Sequence, residues 1–196
     1  MQPVRTRRKN KFNFVKEAER LQSFDEFPML RPEIDPQLHL SRNSVDQPFF
    51  LRCAKDSVIA QPMGASRIEF ADGPTRYFDT EPGDYVYIPA GYTHRVLTSS
   101  PGILVRYKAR EPGSETVLWL CPNCGQEIGR HEIDGDTGPV QAGYADACDT
   151  FNGSPAARTC TACSLEMQPI DLSPFRWREV AHAIVEAEGD SAVEAE

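Results

Sequence analysis

The sequence predicts an all-β fold closed into a barrel, with a small metal-stapled module behind it and a helix at each end. Three observations predict this. Short runs rich in β-branched and aromatic residues recur from about residue 30 to 118, punctuated by Pro, Gly, Asp or Ser at intervals of roughly ten residues. No helical period of comparable length intervenes. Beyond residue 118 the texture changes: Gly, Asp, Asn and Cys become frequent, and four of the six cysteines fall in two C-x-x-C pairs.

The elements follow in order. Residues 1–22 read as a basic tail, "RTRRKNK", and a short amphipathic helix within "FNFVKEAERLQSF". Residues 23–118 form the barrel. Its strands are expected in "QPFFLRC", "DSVIAQP", "ASRIEFA", "TRYFDT", "DYVYIPA", "HRVLTS" and "GILVRYKAR". "EPGSE" at 111–115 reads as a polar turn. Residues 119–168 form the metal module, its two halves joined by a long excursion. Trp119 is expected to pack that module onto the barrel. Residues 169–196 hold a helix, with Ser173 as N-cap and Pro174 at its first position, and a disordered end in "EGDSAVEAE".

Composition narrows the function classes. The chain has 196 residues, 40% of them hydrophobic, enough for one core and a satellite. Its net charge of -8 argues against a nucleic-acid partner. No apolar run approaches the ~20 residues a membrane helix needs, and no apolar region marks a signal peptide. The chain therefore reads as cytoplasmic, with no membrane partner. In that compartment C-x-x-C pairs read as metal ligands in preference to disulfides.

Cys121 and Cys124 sit in "CPNCG", and Cys160 and Cys163 in "CTAC". In a C-x-x-C turn both sulfurs can face one ion, and two turns complete a tetrahedral site for zinc or a rubredoxin-type iron. Gly125 allows the tight turn after the first pair. Four thiolates leave no open position, so the site is structural. Cys53 and Cys148 read as small buried residues.

The stretch "PGDYVYIPAGYTHRV" places Gly83, Pro89, Gly91 and His94 in the spacing Gly-x5-Pro-x-Gly-x2-His. This matches the second motif of the cupins, the double-stranded β-helix or jelly-roll barrels, with Thr98 where an Asn often closes it. Followed by "LWLCPNCG" and "RTCTAC", it resembles the bacterial 3-hydroxyanthranilate 3,4-dioxygenases, which end in a rubredoxin-like four-cysteine site. "QPFFLRCAKDSVIA", "VRYKAREPGSETVLWLCPNCG" and "YADACDTFNGSPAARTCTAC" carry the same resemblance, which covers roughly residues 12–165. It implies a homodimer paired through barrel edges.

That family holds catalytic Fe(II) with His, Glu and His. The resemblance puts the second histidine at His94, the glutamate at Pro48 and the first histidine at Arg42. Neither proline nor arginine ligates a metal. The family's two flanking arginines fall on Leu38 and Thr98, and a further glutamate falls on Arg106. A slipped register would offer His39, Asp46 and His94 as substitute metal ligands. With Arg42, Arg52 and Arg106 facing inward, the barrel mouth would be cationic and suited to a carboxylate or phosphate. His94, Arg42 and Arg106 are the candidate catalytic or binding groups. Three functional classes stay open: a remodelled relative that acts on or binds a small acidic, aromatic molecule; an Fe(II) ring-cleaving dioxygenase with substituted ligands; and a non-catalytic cupin that binds a ligand or partner.

Overall fold

A computed structural model describes residues 11–193, and side chains as far as residue 187. Most of the basic cluster and the last three residues fall outside the described residues. Among those described there are nine strands: β1 (Phe27–Pro28), β2 (Gln37–Asn43), β3 (Phe50–Cys53), β4 (Ser57–Phe70), β5 (Tyr77–Thr80), β6 (Tyr85–Ile88), β7 (Thr93–Lys108), β8 (Ser114–Leu120) and β9 (Glu127–Asp134). They pair antiparallel in one curled sheet of order β1-β2-β7-β3-β8-β9, with β4 paired to β5, β6 and β7. Four helices accompany them: α1 (Phe14–Ala18), α2 (Val140–Asn152), α3 (Pro155–Arg158) and α4 (Trp177–Val193).

The seam of the barrel is the β4–β7 pair. Each is a single long strand where two were expected. Bulges between Ala60 and Ser66 bend the ladder without ending it. The bend needs glycine, because Gly64 has φ +77° and a Cβ on Gly102 would lie 2.0 Å from the Met63 carbonyl oxygen.

Alternation then sorts the side chains. Leu104, Arg106 and Lys108 of β7 turn inward, while Ile103 and Val105 turn outward. The inner row shares a core with Phe49, Ile59, Ile68, Phe70, Val96, Val117 and Trp119. The outer row packs with Leu40, Ala60 and Phe27 under Ala18 and Leu21 at the N-terminal end and Val180 and Ile184 of α4. Helices thus cover the outer face of β2 and β7.

Several expectations beyond the barrel need correction. β8 runs to Leu120, across the expected boundary at 118, and pairs along its length with β9. The "EPGSE" stretch is only partly a turn, since β8 begins at Ser114 and Glu115 is fully buried. The excursion between the cysteine pairs holds α2, whose Tyr144, Ala147, Cys148 and Phe151 join the barrel core. The C-terminal helix begins at Trp177 and not at Pro174, because Ser173 turns back to bond Asp171. That helix also continues to Val193, through most of the stretch expected to be disordered. Trp119 does join the two regions: its ring stacks on Phe151 at 4.3 Å and its indole N–H donates to the Pro48 carbonyl.

Candidate functional site

His94 lies one residue into β7, just past the Gly91 turn, where φ is +78°. Its side chain points into the barrel and is fully buried. Arg106 Nη1 lies 2.9 Å from its Nε2, and the Tyr92 carbonyl oxygen lies 3.2 Å from its Nδ1. A guanidinium only donates, so Nε2 must accept and Nδ1 must carry the proton. Burial and the Arg106 charge push the imidazole pKa down to about 3. His94 is therefore a neutral acceptor whose free lone pair is already engaged.

Arg106 and Lys108 occupy successive inward positions of β7, and two carboxylates meet them. Arg106 Nε lies 3.0 Å from Glu26 Oε1, and Lys108 Nζ lies 2.8 Å from Glu26 Oε2 and 2.7 Å from Glu115 Oε1. The Tyr144 hydroxyl donates to Glu115 Oε2 in a very short hydrogen bond. Two cations face two anions, so the cluster is neutral overall. Burial alone would raise the Glu26 pKa, but Arg106 and Lys108 outweigh it and hold the carboxyl down at about 2. Burial and Glu115 push the Tyr144 hydroxyl well above its ordinary value. A small cavity lined by Arg106, Glu26, Ser41 and Leu104 has about 10 Å³, no more than one water requires.

Glu26 arrives on a strap, residues 22–26, that the sequence reading passed over. Phe24 and Glu26 have φ of 54° and 44°, conformations that cost of order 1–3 kcal/mol each in a non-glycine residue. The surroundings fix them. Asn43 Oδ1 accepts from the Phe24 N–H, Ser41 Oγ from the Glu26 N–H, and Gln141 and Trp177 donate to the strap's carbonyls. The only signal in the sequence was an acidic pair, "FDEF", between apolar residues.

The other predicted residues do not converge on His94. Arg42 is exposed on the outer face of β2, the face that carries Leu38 and Leu40, because alternation turns Ser41 and Asn43 inward instead. Asp46 is exposed and accepts from the Thr98 backbone N–H at 2.7 Å, tying down a loop. His39 does face inward, half-buried, but its Nδ1 lies against the Glu26 carbonyl oxygen and Lys108 helps depress its pKa to about 4. Burial is the larger cause. The His39/Asp46/His94 triad is therefore not assembled. Arg52 is half-exposed, bonded to Thr93 and near Asp72. The expected cationic mouth is replaced by a neutralised ion cluster.

One end of this cluster is open. His39, Lys108 and Glu115 reach the floor of a cleft of about 570 Å³, walled by Pro28, Pro139, Val140 and Ile184 and edged by Glu33, Arg110, Glu111 and Asp136. Gln37 is at its base, and the buried Gln37 Oε1 has no hydrogen-bond partner.

The four cysteines do converge. Cys121 and Cys163 sulfurs are 3.5 Å apart, Cys124 and Cys160 sulfurs 3.6 Å, and all four lie within 4.8 Å of one another. Metal–sulfur bonds of about 2.3 Å in a tetrahedron place sulfurs roughly 3.8 Å apart, so the set fits zinc or iron. The two turns are built alike. The Gly125 N–H donates to the Cys121 carbonyl and the Ser164 N–H to the Cys160 carbonyl, with φ of 73° and 59°. Cys53 and Cys148 are buried and stand apart from the cluster. Among the described residues no other group of three or more His, Cys, Asp or Glu donors converges this way.

A curled antiparallel barrel with a histidine on the second-motif strand and a four-cysteine centre beyond it defines the chain as a cupin with an appended thiolate site. No family model matches it. It is 31% identical over 138 residues to 3-hydroxyanthranilate 3,4-dioxygenase of Jannaschia sp. (strain CCS1), covering 66% of this chain and 67% of that one. The chain belongs to that family. Solved structures similar to it include hydroquinone 1,2-dioxygenase from Sphingomonas sp. TTNP3 in complex with 4-nitrophenol, at 13% identity and TM-score 0.48 over 53% of this chain and 33% of that one. A cupin-2 domain containing protein from Shewanella frigidimarina matches at 16% identity and TM-score 0.44, over 50% of this chain and 93% of the other.

The barrel residues do not fit the Fe(II) that the family implies. Of the three positions that would hold it, Arg42 and Pro48 offer no donor. The third, His94, has its lone pair committed to a guanidinium. A fixed positive charge within hydrogen-bond reach of the sole remaining ligand opposes a dication there.

Proposed function

We propose that this chain is a remodelled member of the dioxygenase family that binds a small aromatic acid in the open cleft, with no iron in its barrel. The observation that carries this reading is the 2.9 Å contact between Arg106 Nη1 and His94 Nε2, both side chains being buried. Arg106 takes the place of the cation, and Glu26 of an anionic partner. The cleft's volume lies in the range of small-molecule sites. Its lining is mixed in charge, which suits a ligand carrying both a carboxylate and hydrogen-bond donors. Arg110 would meet the carboxylate. Gln37 Oε1, an unpaired acceptor, would take a hydroxyl or amino proton.

Elemental analysis of protein purified without chelators tests the barrel. The expected result is one zinc or iron per chain, lost in Cys160→Ala and retained in His94→Ala. Calorimetry with 3-hydroxyanthranilate and simpler benzoates tests the cleft, and Gln37→Ala and Arg110→Ala should weaken what binds. Two metals per chain, one of them iron lost with His94, together with oxygen uptake on 3-hydroxyanthranilate, would instead establish a ring-cleaving enzyme with rebuilt ligands.

A further inference from the structure

A second cleft, of about 530 Å³, lies away from the first, between residues 19–22, the end of β2 and the 173–176 turn. Three arginines line it: Arg20, Arg42 and Arg176. Glu19 is the one acidic residue among its lining residues.

These arginines are not placed alike. Arg176 is built into the wall. It is buried; its Nη2 donates to the Arg20 carbonyl at 2.5 Å and lies 3.5 Å from Asp25, and its Nη1 lies 3.8 Å from Glu179. Arg20 and Arg42 are exposed, and among the described residues neither has a carboxylate partner. Arg31 and Arg76 are likewise exposed without a carboxylate partner among the described residues, but neither lines a cleft with other arginines. Exposed arginines such as Arg67, Arg110, Arg130 and Arg178 each pair with a carboxylate, as expected in a chain with 29 acidic and 21 basic residues. The backbone behind the two free guanidiniums is fixed. Arg42 N–H donates to the Gln22 carbonyl, and the Arg176 side chain holds the Arg20 carbonyl. Ser44 and Ser173 add hydroxyls to the same lining.

Two unpaired guanidiniums and a buried third, held at one cleft of an otherwise acidic surface, form an oxyanion receptor. We infer that this cleft binds a phosphate group, free or as a small monoester. Arg176 is already balanced by Asp25 and Glu179, so Arg20 and Arg42 supply the attraction for the oxyanion. The site is separate from the cleft assigned above and does not depend on that assignment.

The full-length protein is titrated calorimetrically with inorganic phosphate, with sulfate, acetate and chloride as parallel arms at constant ionic strength. The proposal expects saturable phosphate binding, weaker binding of acetate, and a loss of roughly tenfold in affinity for each of Arg20→Ala and Arg42→Ala. Both side chains are exposed, so the variants should keep the wild-type circular dichroism spectrum and the wild-type response to aromatic acids in the other cleft. A small monoester such as phenyl phosphate then separates a free-ion site from a phosphoryl-group site. Acetate or chloride matching phosphate, or undiminished phosphate binding in the Arg20→Ala/Arg42→Ala double variant, overturns the proposal.

Discussion

At the centre of the barrel, Arg106 and Lys108 share Glu26 between them, and Lys108 also serves Glu115. Removing one member leaves an uncompensated charge among side chains that are almost fully buried, which typically costs 3–5 kcal/mol. Arg106→Met should therefore lower the free energy of unfolding by about that amount in urea titrations, and Glu26→Gln added to it should restore part. A loss below about 1 kcal/mol would show that the cluster is not acting as a unit. The same burial sets a pH dependence. His94 is neutral in the folded state down to about pH 3, whereas an unfolded histidine protonates near 6.5. Between those values the unfolded chain binds the extra proton, so stability falls as pH drops below 6.5, by at most about 1.4 kcal/mol per pH unit for this residue. Glu26, held near 2, adds its own loss below about 4.5, the ordinary value for a glutamate. Denaturation midpoints measured from pH 7 to 4, with the His94 ring followed by NMR, check both statements. A His94 titration near 6.5 would contradict the closed site.

At the scale of elements, the barrel was legible because its apolar strands alternate. The motif from Gly83 to His94 and the cysteine pairs were legible because turn geometry and ligation both constrain spacing. β2 was not, and the reason is physical. Gln37, His39, Ser41 and Asn43 face a polar interior while Leu38 and Leu40 face helices, so the usual sense of alternation is reversed. That reversal also sent Arg42 to the surface. Helix α2 could have been found: Val140, Tyr144, Ala147, Cys148 and Phe151 recur at helical spacing, hidden among small residues between the cysteine pairs. Its packing makes a sharp prediction. A Cβ on Gly143 would lie 2.6–2.7 Å from three carbons of Ile133 on β9. Gly143→Ala should cost about 1–3 kcal/mol despite alanine's better helix propensity. The melting temperature checks this, and Ile133→Val in the same chain should recover part of the loss.

For the molecule as a whole, the cysteine centre closes a long circuit. Cys121 follows β8 directly, and Cys160 follows α3, after the chain has added β9 and α2 to the barrel. A metal there ties the end of the sheet to the approach to α4. Removing it with a strong chelator should lower the melting temperature, and restoring zinc should return it. Cys160→Ala should melt at the chelated temperature with or without added zinc. An unchanged melting temperature on metal loss would mean the circuit is held by Trp119 on Phe151 and the surrounding core alone.

The guanidinium beside His94 is attached to the chain by its own carbon stem. Unlike an iron ion, it cannot be captured by a siderophore, swapped for manganese or driven between oxidation states. On the proposed reading, iron starvation, which disarms barrels that borrow their cation, would leave this one's interior unchanged, because its positive charge is inherited with the sequence.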